Sequence, residues 1–189
     1  MSAGGRLRNA LRGIRLVLAF DVRAWTYFDR SLRGFWASFI VAVLLAPLSF
    51  THVVMQFGER TSGSHLTFVP YLIVESLSYI VSWTLFPFVM MYLVDLLQRP
   101  QRYFSYMVVY NWLQLPLSGF VYLVYLAGDF HILPPGAAES IWLSGLLAFF
   151  VYGSFIAGYA LQQGMGTALS IVVLDFVLGL ITEQLISRI

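Results

Sequence analysis

Residues 141–186 narrow the possible folds of this chain more than any other stretch. They read IWLSGLLAFFVYGSFIAGYAL, then the turn QQGMG, then TALSIVVLDFVLGLITEQLI. About 20 predominantly apolar residues cross the hydrocarbon core of a bilayer, and with no water there only a helix or a closed barrel satisfies the backbone. Two such runs joined by a tight turn define a transmembrane hairpin. With 59% hydrophobic residues and only 11% charged ones among 189, the rest of the chain follows the same logic. The expected class is all-α: a polytopic five-helix transmembrane bundle preceded by an amphipathic interfacial helix.

The five spans are expected at about 34–54, 67–97, 103–127, 141–161 and 166–186, after an arginine-rich segment over 1–33. Loops between them are short, which leaves no room for an inserted soluble domain. Pro47 is expected to kink the first span. The second is longer than a perpendicular crossing requires, so it tilts or projects beyond the bilayer. Pro87 within it frees a backbone carbonyl that a neighbour has to satisfy.

Charge is unevenly placed. All 11 basic residues are arginines, and seven of them precede residue 34 against two aspartates. Leu7, Leu11, Ile14, Leu18, Val22 and Trp25 recur at steps of three and four, flanked by Arg8, Arg12 and Arg15. That pattern over residues 6–28 points to a helix lying on anionic headgroups, the alternative being a helix packed under the bundle. Beside a membrane span, such a cluster reads as lipid contact rather than nucleic-acid binding. Arg99 and Arg102 mark a second positive connection, while the loop holding Asp129 and Glu139 carries no arginine. By the positive-inside rule the N-terminus is cytoplasmic and the C-terminus outside.

Charges within spans are costly and therefore functional candidates. Glu75 shares a helical face with Ser78 and Ser82, and Asn111 aligns with Gln114 and Ser118. Two polar stripes on consecutive helices are expected to face each other. They either line a water path or exchange interhelical hydrogen bonds worth about 1 kcal/mol each. Asp175 lies deepest, either as a proton site or as a hydrogen-bonded link from the fifth span to the third. Asp95 and Arg99 are spaced for an i,i+4 ion pair. In the fourth span, Gly153 with Ala157 and Ser154 with Gly158 form small-xxx-small pairs for close helix packing. The fifth span, with Gly166, Ser170 and Gly179, is their expected partner, and a homodimer contact is the alternative. Tyrosines at span ends read as interfacial anchors.

Other chemistry lacks its motifs. There is no cysteine for a disulfide or thiolate site, no GxGD, HExxH or Gly-x-Ser protease pattern, and no phosphate-binding glycine loop. His52, His65 and His131 fall on separate outer segments without metal-ligand spacing. Neither an enzyme nor a bound cofactor or metal is expected.

The segment AGYALQQGMGTALSIVVLDFVLG, from Ala157 to Gly179, resembles the end of bacterial Yip1-type membrane domains, where a short polar turn with glycine precedes an Ala-rich last helix. FDRSLRGFWASFIVAVLLAPL, from Phe28 to Leu48, is similar to small bacterial membrane proteins. The resemblance implies a cytoplasmic N-terminal segment, five closely spaced spans and residence in a bacterial inner membrane. The Asp-Leu-Tyr-Gly-Pro motif of eukaryotic relatives is absent, and no functional residue carries over. The expected role is a non-enzymatic scaffold or accessory subunit with a membrane-protein partner or a second copy of itself. The alternative is a small transporter or channel component working through Glu75 and Asp175.

Overall fold

A computed structural model of the protein describes residues 3–61, 67–134 and 136–186. The chain forms α1 (Ala3–Leu18), a 3₁₀ turn at Val22–Thr26, α2 (Leu32–Ser38) and α3 (Ile40–Arg60). It continues through α4 (Phe68–Leu96), a second 3₁₀ turn at Pro100–Arg102, α5 (Tyr103–Asp129), α6 (Ala137–Leu161) and α7 (Met165–Ile186). No strand occurs among the described residues. Five helical segments are long and apolar enough to cross a membrane, the first being α2 and α3 together over Leu32–Gly58. The protein is an all-α polytopic membrane bundle.

Helix α5 is the hub. It packs against α3 on one side and α6 on the other, and α2 lies across its first turns; α7 fills the gap between α6 and α4. Packing differs between the two halves of the bundle. Phe86, Met90, Tyr106, Met107, Ile156 and Leu161 meet in a dry core. These residues come from the second half of α4, the first half of α5 and the last turns of α6. Ala168 and Ile171 extend that core from the start of α7. In the opposite half, where the α3–α4 and α5–α6 connections lie, α4 buries only Tyr71 before residue 86. The helices splay there.

Small residues set the α6–α7 spacing. A Cβ on Gly153 would come within 3.0 Å of Val172 Cγ2, and one on Gly158 within 3.6 Å of the Ala168 Cβ. At Gly166 and Gly179, by contrast, an added Cβ would find nothing within 4 Å. Gly153→Ala should therefore destabilise the protein by about 1–3 kcal/mol through overpacking. Pairing it with Val172→Ala should restore most of the loss, as measured by thermal unfolding in detergent. Equal melting temperatures for the two variants would rule this contact out as the cause.

The N-terminal segment departs from a continuous helix over 6–28. α1 ends at Leu18, and Phe20 adopts a left-handed conformation with φ of 55°. Its ring then stacks on Tyr152 of α6 at 4.9 Å. Asp21 caps the 3₁₀ turn by accepting from the Arg23 backbone N–H at 2.9 Å, and takes a further 2.8 Å hydrogen bond from Arg23 Nε. Those bonds hold the Asp21 carboxyl below its ordinary range. Ala10, Ile14 and Val17 are the buried face of α1, while Leu7, Leu11 and Leu18 form an exposed apolar stripe beside it. Arg8, Arg12 and Arg15 are exposed on the far side of that stripe.

Other boundaries also shift. α3 runs to Arg60, past the expected end at Val54, and continues through Pro47 without interruption; the break in the first span falls at Phe39. The Asp95–Arg99 ion pair does not form. α4 ends at Leu96 and Gln98 turns left-handed with φ of 55°, so Arg99 leaves the helical face that i,i+4 pairing needs. His65 lies outside the described residues. Four tyrosines donate hydrogen bonds between segments of the bundle, two of them, Tyr79 and Tyr110, from well inside their spans. Three of them reach backbone carbonyls: Tyr71 to Val53 at 3.1 Å, Tyr79 to Ala42 at 2.6 Å and Tyr103 to Pro87 at 3.0 Å. The fourth, Tyr110, reaches Asp175 in the open half.

Candidate functional site: an acid-lined cavity between the helices

The splayed half carries two adjoining, partly open cavities, of about 560 Å³ and about 390 Å³. Tyr122, Tyr125, Gly179 and Glu183 line both and form their common wall. Glu75, Ser78 and Ser82 of α4 line the larger chamber, which places that predicted stripe on a cavity wall. Asp175, Gln114 and Ser118 line the smaller one. The α4 and α5 stripes do not pack on each other; the chambers and α7 intervene. Asn111 belongs to neither chamber. It is fully buried on the other side of α5, where its Nδ2 donates to Ser38 Oγ at 2.8 Å and fastens α2 to the hub. Its Oδ1 has no hydrogen-bond partner among the described residues.

Asp175 is the floor of the smaller chamber. Its Oδ2 accepts from Tyr110 at 2.7 Å, which ties the fifth span to the third. Gln114 is oriented from one side, because its Oε1 accepts from Ser118 at 2.9 Å. The spacing of three and four residues that put Gln114 and Ser118 on one face is the same spacing that lets them bond within one helix. Phe86 packs on Tyr110 at 4.8 Å and borders the dry core.

The larger chamber holds a pair that sequence reasoning missed. His52 Nδ1 lies 2.6 Å from Asp129 Oδ2, and Gln56 Nε2 donates to Asp129 Oδ1 at 2.8 Å. The imidazole stacks on Tyr125 at 4.8 Å. A carboxylate only accepts, so Nδ1 carries the proton and Nε2 is the nitrogen left for other partners. The side chains of His52 and Asp129 are 16% and 8% exposed, so the pair is shielded from bulk water. His52 and Asp129 are 77 residues apart and no local periodicity connects them. The available signal was that both sit at span ends assigned to the same side of the membrane. Removing one partner strands the other in a poor solvent. His52→Ala and Asp129→Asn should each lower the melting temperature, and the double variant should be little worse than either. Additive losses in that cycle, in place of a coupling of about 1–3 kcal/mol, would show that the two side chains act separately.

The lining has a consistent charge. Glu75, Asp129, Asp175 and Glu183 border the chambers, and no arginine does. Among the described residues, no three His, Asp or Glu side chains come close enough to hold a metal ion. The carboxylates are dispersed over the walls, between Tyr79, Tyr122, Tyr125 and Trp142. Such a surface suits a hydrated or organic cation better than a dehydrated metal, because aromatic faces and separated carboxylates both attract diffuse positive charge.

Comparison with protein-family models, curated proteins and solved structures finds no match to this chain. What fold and site define is a class: a multi-pass integral membrane protein with a polar, acid-lined cavity between its helices.

Proposed function

We propose that the protein is a small transporter or channel component that takes a cation into the acid-lined cavity. The observation that carries this reading is the division of the bundle into a half packed around a hydrophobic core and a splayed half whose cavities are bordered by four carboxylates and no arginine. Helix packing alone has no use for such a cavity, since every carboxylate within a span is costly. Glu75 attracts the cation in the larger chamber, and Asp175, held by Tyr110, is the terminal site. His52 and Asp129 brace α3 against α5 at the mouth.

The arginine distribution supports a cytoplasmic dry half, with the cavity opening outward across a bacterial inner membrane. Arg8, Arg12 and Arg15 then meet anionic headgroups while the Leu7, Leu11 and Leu18 stripe enters the acyl boundary. We retain the Yip1-type layout, an N-terminal segment, five spans and a closing hairpin, as a proposal.

The decisive experiment uses purified protein in liposomes, with proton entry followed by a trapped pH dye and tetraethylammonium entry by radiolabel. Wild type should move at least one of them, and Glu75→Gln with Asp175→Asn should reduce that flux about tenfold or more, the effect of about 1.4 kcal/mol or more. Absence of flux, together with a stoichiometric membrane-protein partner in a mild-detergent pulldown, would replace this reading with the scaffold one.

A further inference from the structure

A separate pocket lies at the opposite end of the molecule, and its chemistry is the reverse of that of the two chambers. It encloses about 320 Å³ and is bordered by Trp25, Arg30, Arg102, Ser105, Tyr159 and Gln162. Two arginines line it and no carboxylate does. Neither arginine has an acidic partner, because the ion pairs among the described residues are Arg23 with Asp21 and His52 with Asp129. The acid nearest in sequence, Asp29, is already engaged, accepting from the Ser31 N–H at 3.2 Å and the Ser31 hydroxyl at 2.7 Å.

Two polar groups in the lining make no hydrogen bond among the described residues. Ser105 is 8% exposed, and its hydroxyl keeps enough accessible surface to meet a ligand. Trp25 is 4% exposed, and its indole Nε1 is a fully buried donor without a partner among those residues. A buried polar group left unsatisfied costs about 1–3 kcal/mol, a cost that the indole alone carries here, while the Ser105 hydroxyl is open to an acceptor in the pocket. Arg102 and Ser105 also frame the N-terminus of α5, a 27-residue helix whose dipole attracts negative charge there, although its first N–H, that of Tyr103, is already bonded to the Pro100 carbonyl.

We infer that this pocket binds a phosphate group, held by Arg30 and Arg102 with Ser105 and Trp25 as neutral donors. A phosphate is the ligand that matches two guanidinium groups, a hydroxyl and a helix N-terminus at once, since it offers acceptor oxygens in several directions. It belongs to a phospholipid headgroup, for the pocket lies between the N-terminal segment, α5 and the end of α6, at the rim of the spans. A free phosphate ester shares the chemistry.

The test uses the full-length protein. Wild type is reconstituted in nanodiscs of phosphatidylcholine with a minor fraction of phosphatidylglycerol, extracted into mild detergent, and its retained lipid counted by native mass spectrometry. In parallel, inorganic phosphate is titrated against tryptophan fluorescence. Wild type should retain phosphatidylglycerol, and Arg30→Gln/Arg102→Gln should retain about tenfold less, with Arg102→Lys between them because a lysine still binds phosphate as a point charge. Retention of phosphatidylglycerol without a response to inorganic phosphate identifies the lipid. A fluorescence response to inorganic phosphate that the double glutamine variant lacks identifies a soluble ester. Equal lipid retention by all variants with no phosphate response overturns the site. Should the double variant fail to fold, wild type that retains no phosphatidylglycerol and ignores phosphate overturns it equally.

Discussion

A tryptophan placed at Gly179 is expected to stop the cation entry proposed above while leaving the bundle folded. Gly179 lines both chambers, and a Cβ there would meet nothing within 4 Å. On sequence alone this glycine belongs to helix packing against the fourth span. In the structure its missing side chain is open space at the junction of the two chambers, on the turn of α7 that follows Asp175. Since a Cβ there meets nothing, an indole is expected to project into that space, where its bulk would separate Glu75 in the larger chamber from Asp175 in the smaller one. Flux should fall about tenfold or more, equivalent to losing about 1.4 kcal/mol, with the melting temperature unchanged or raised by the added apolar burial. Gly179→Ala, which leaves most of the space, should keep most of the flux. A tryptophan variant that transports like wild type would mean that the route does not pass between the chambers.

Gly34→Ala is expected to do the opposite and remove the fold. The turn before α2 is tied by Asp29, which accepts from Ser31, and by Ser31, whose hydroxyl accepts from the Gly34 N–H at 3.1 Å as the N-cap. A Cβ on Gly34 would overlap the Asp29 carbonyl oxygen, a backbone atom that can move only if the cap opens. The loss should exceed about 4 kcal/mol, the range reserved for such named clashes. Protein yield in the membrane fraction and the detergent melting curve report it. Ser31→Ala, which removes the cap and the hydroxyl's bond to Asp29 but introduces no clash, should cost about 1–2 kcal/mol. If Gly34→Ala melts like Ser31→Ala, the clash is relieved locally and the turn is less constrained than its geometry indicates.

The spans and their number were legible because a run of apolar residues long enough to cross a bilayer has few other fates, and TALSIVVLDFVLGLITEQLI is such a run. Helix breaks were not. Nothing in FWASFIVA marks Phe39 as the interruption of the first span, whereas Pro47, the evident candidate, is carried inside α3. The carboxylates stood out because their residue type is rare in spans, so Glu75 and Asp175 could be named. Their surroundings could not be read from the chain. Tyr110 reaches Asp175 across 65 positions, and Asn111, one residue later, faces away from that chamber to hold Ser38. A helix turns about 100° per residue, so neighbours in sequence serve different sides of α5. Spacing alone cannot say which side is a cavity and which is a seam.

The dry core of Met90, Tyr106, Met107, Ile156 and Leu161 has a kinetic consequence. A continuous file of water cannot thread side chains packed like these, so nothing moves through the molecule at the speed of an open pore. On the transporter reading proposed above, a cation that reached Asp175 would wait for α4, α5, α6 and α7 to part on the far side. Collective helix motions of that kind take about microseconds to milliseconds, which sets the ceiling on turnover. Single-molecule current recordings should therefore stay silent where ensemble uptake is measurable, and uptake should saturate with concentration.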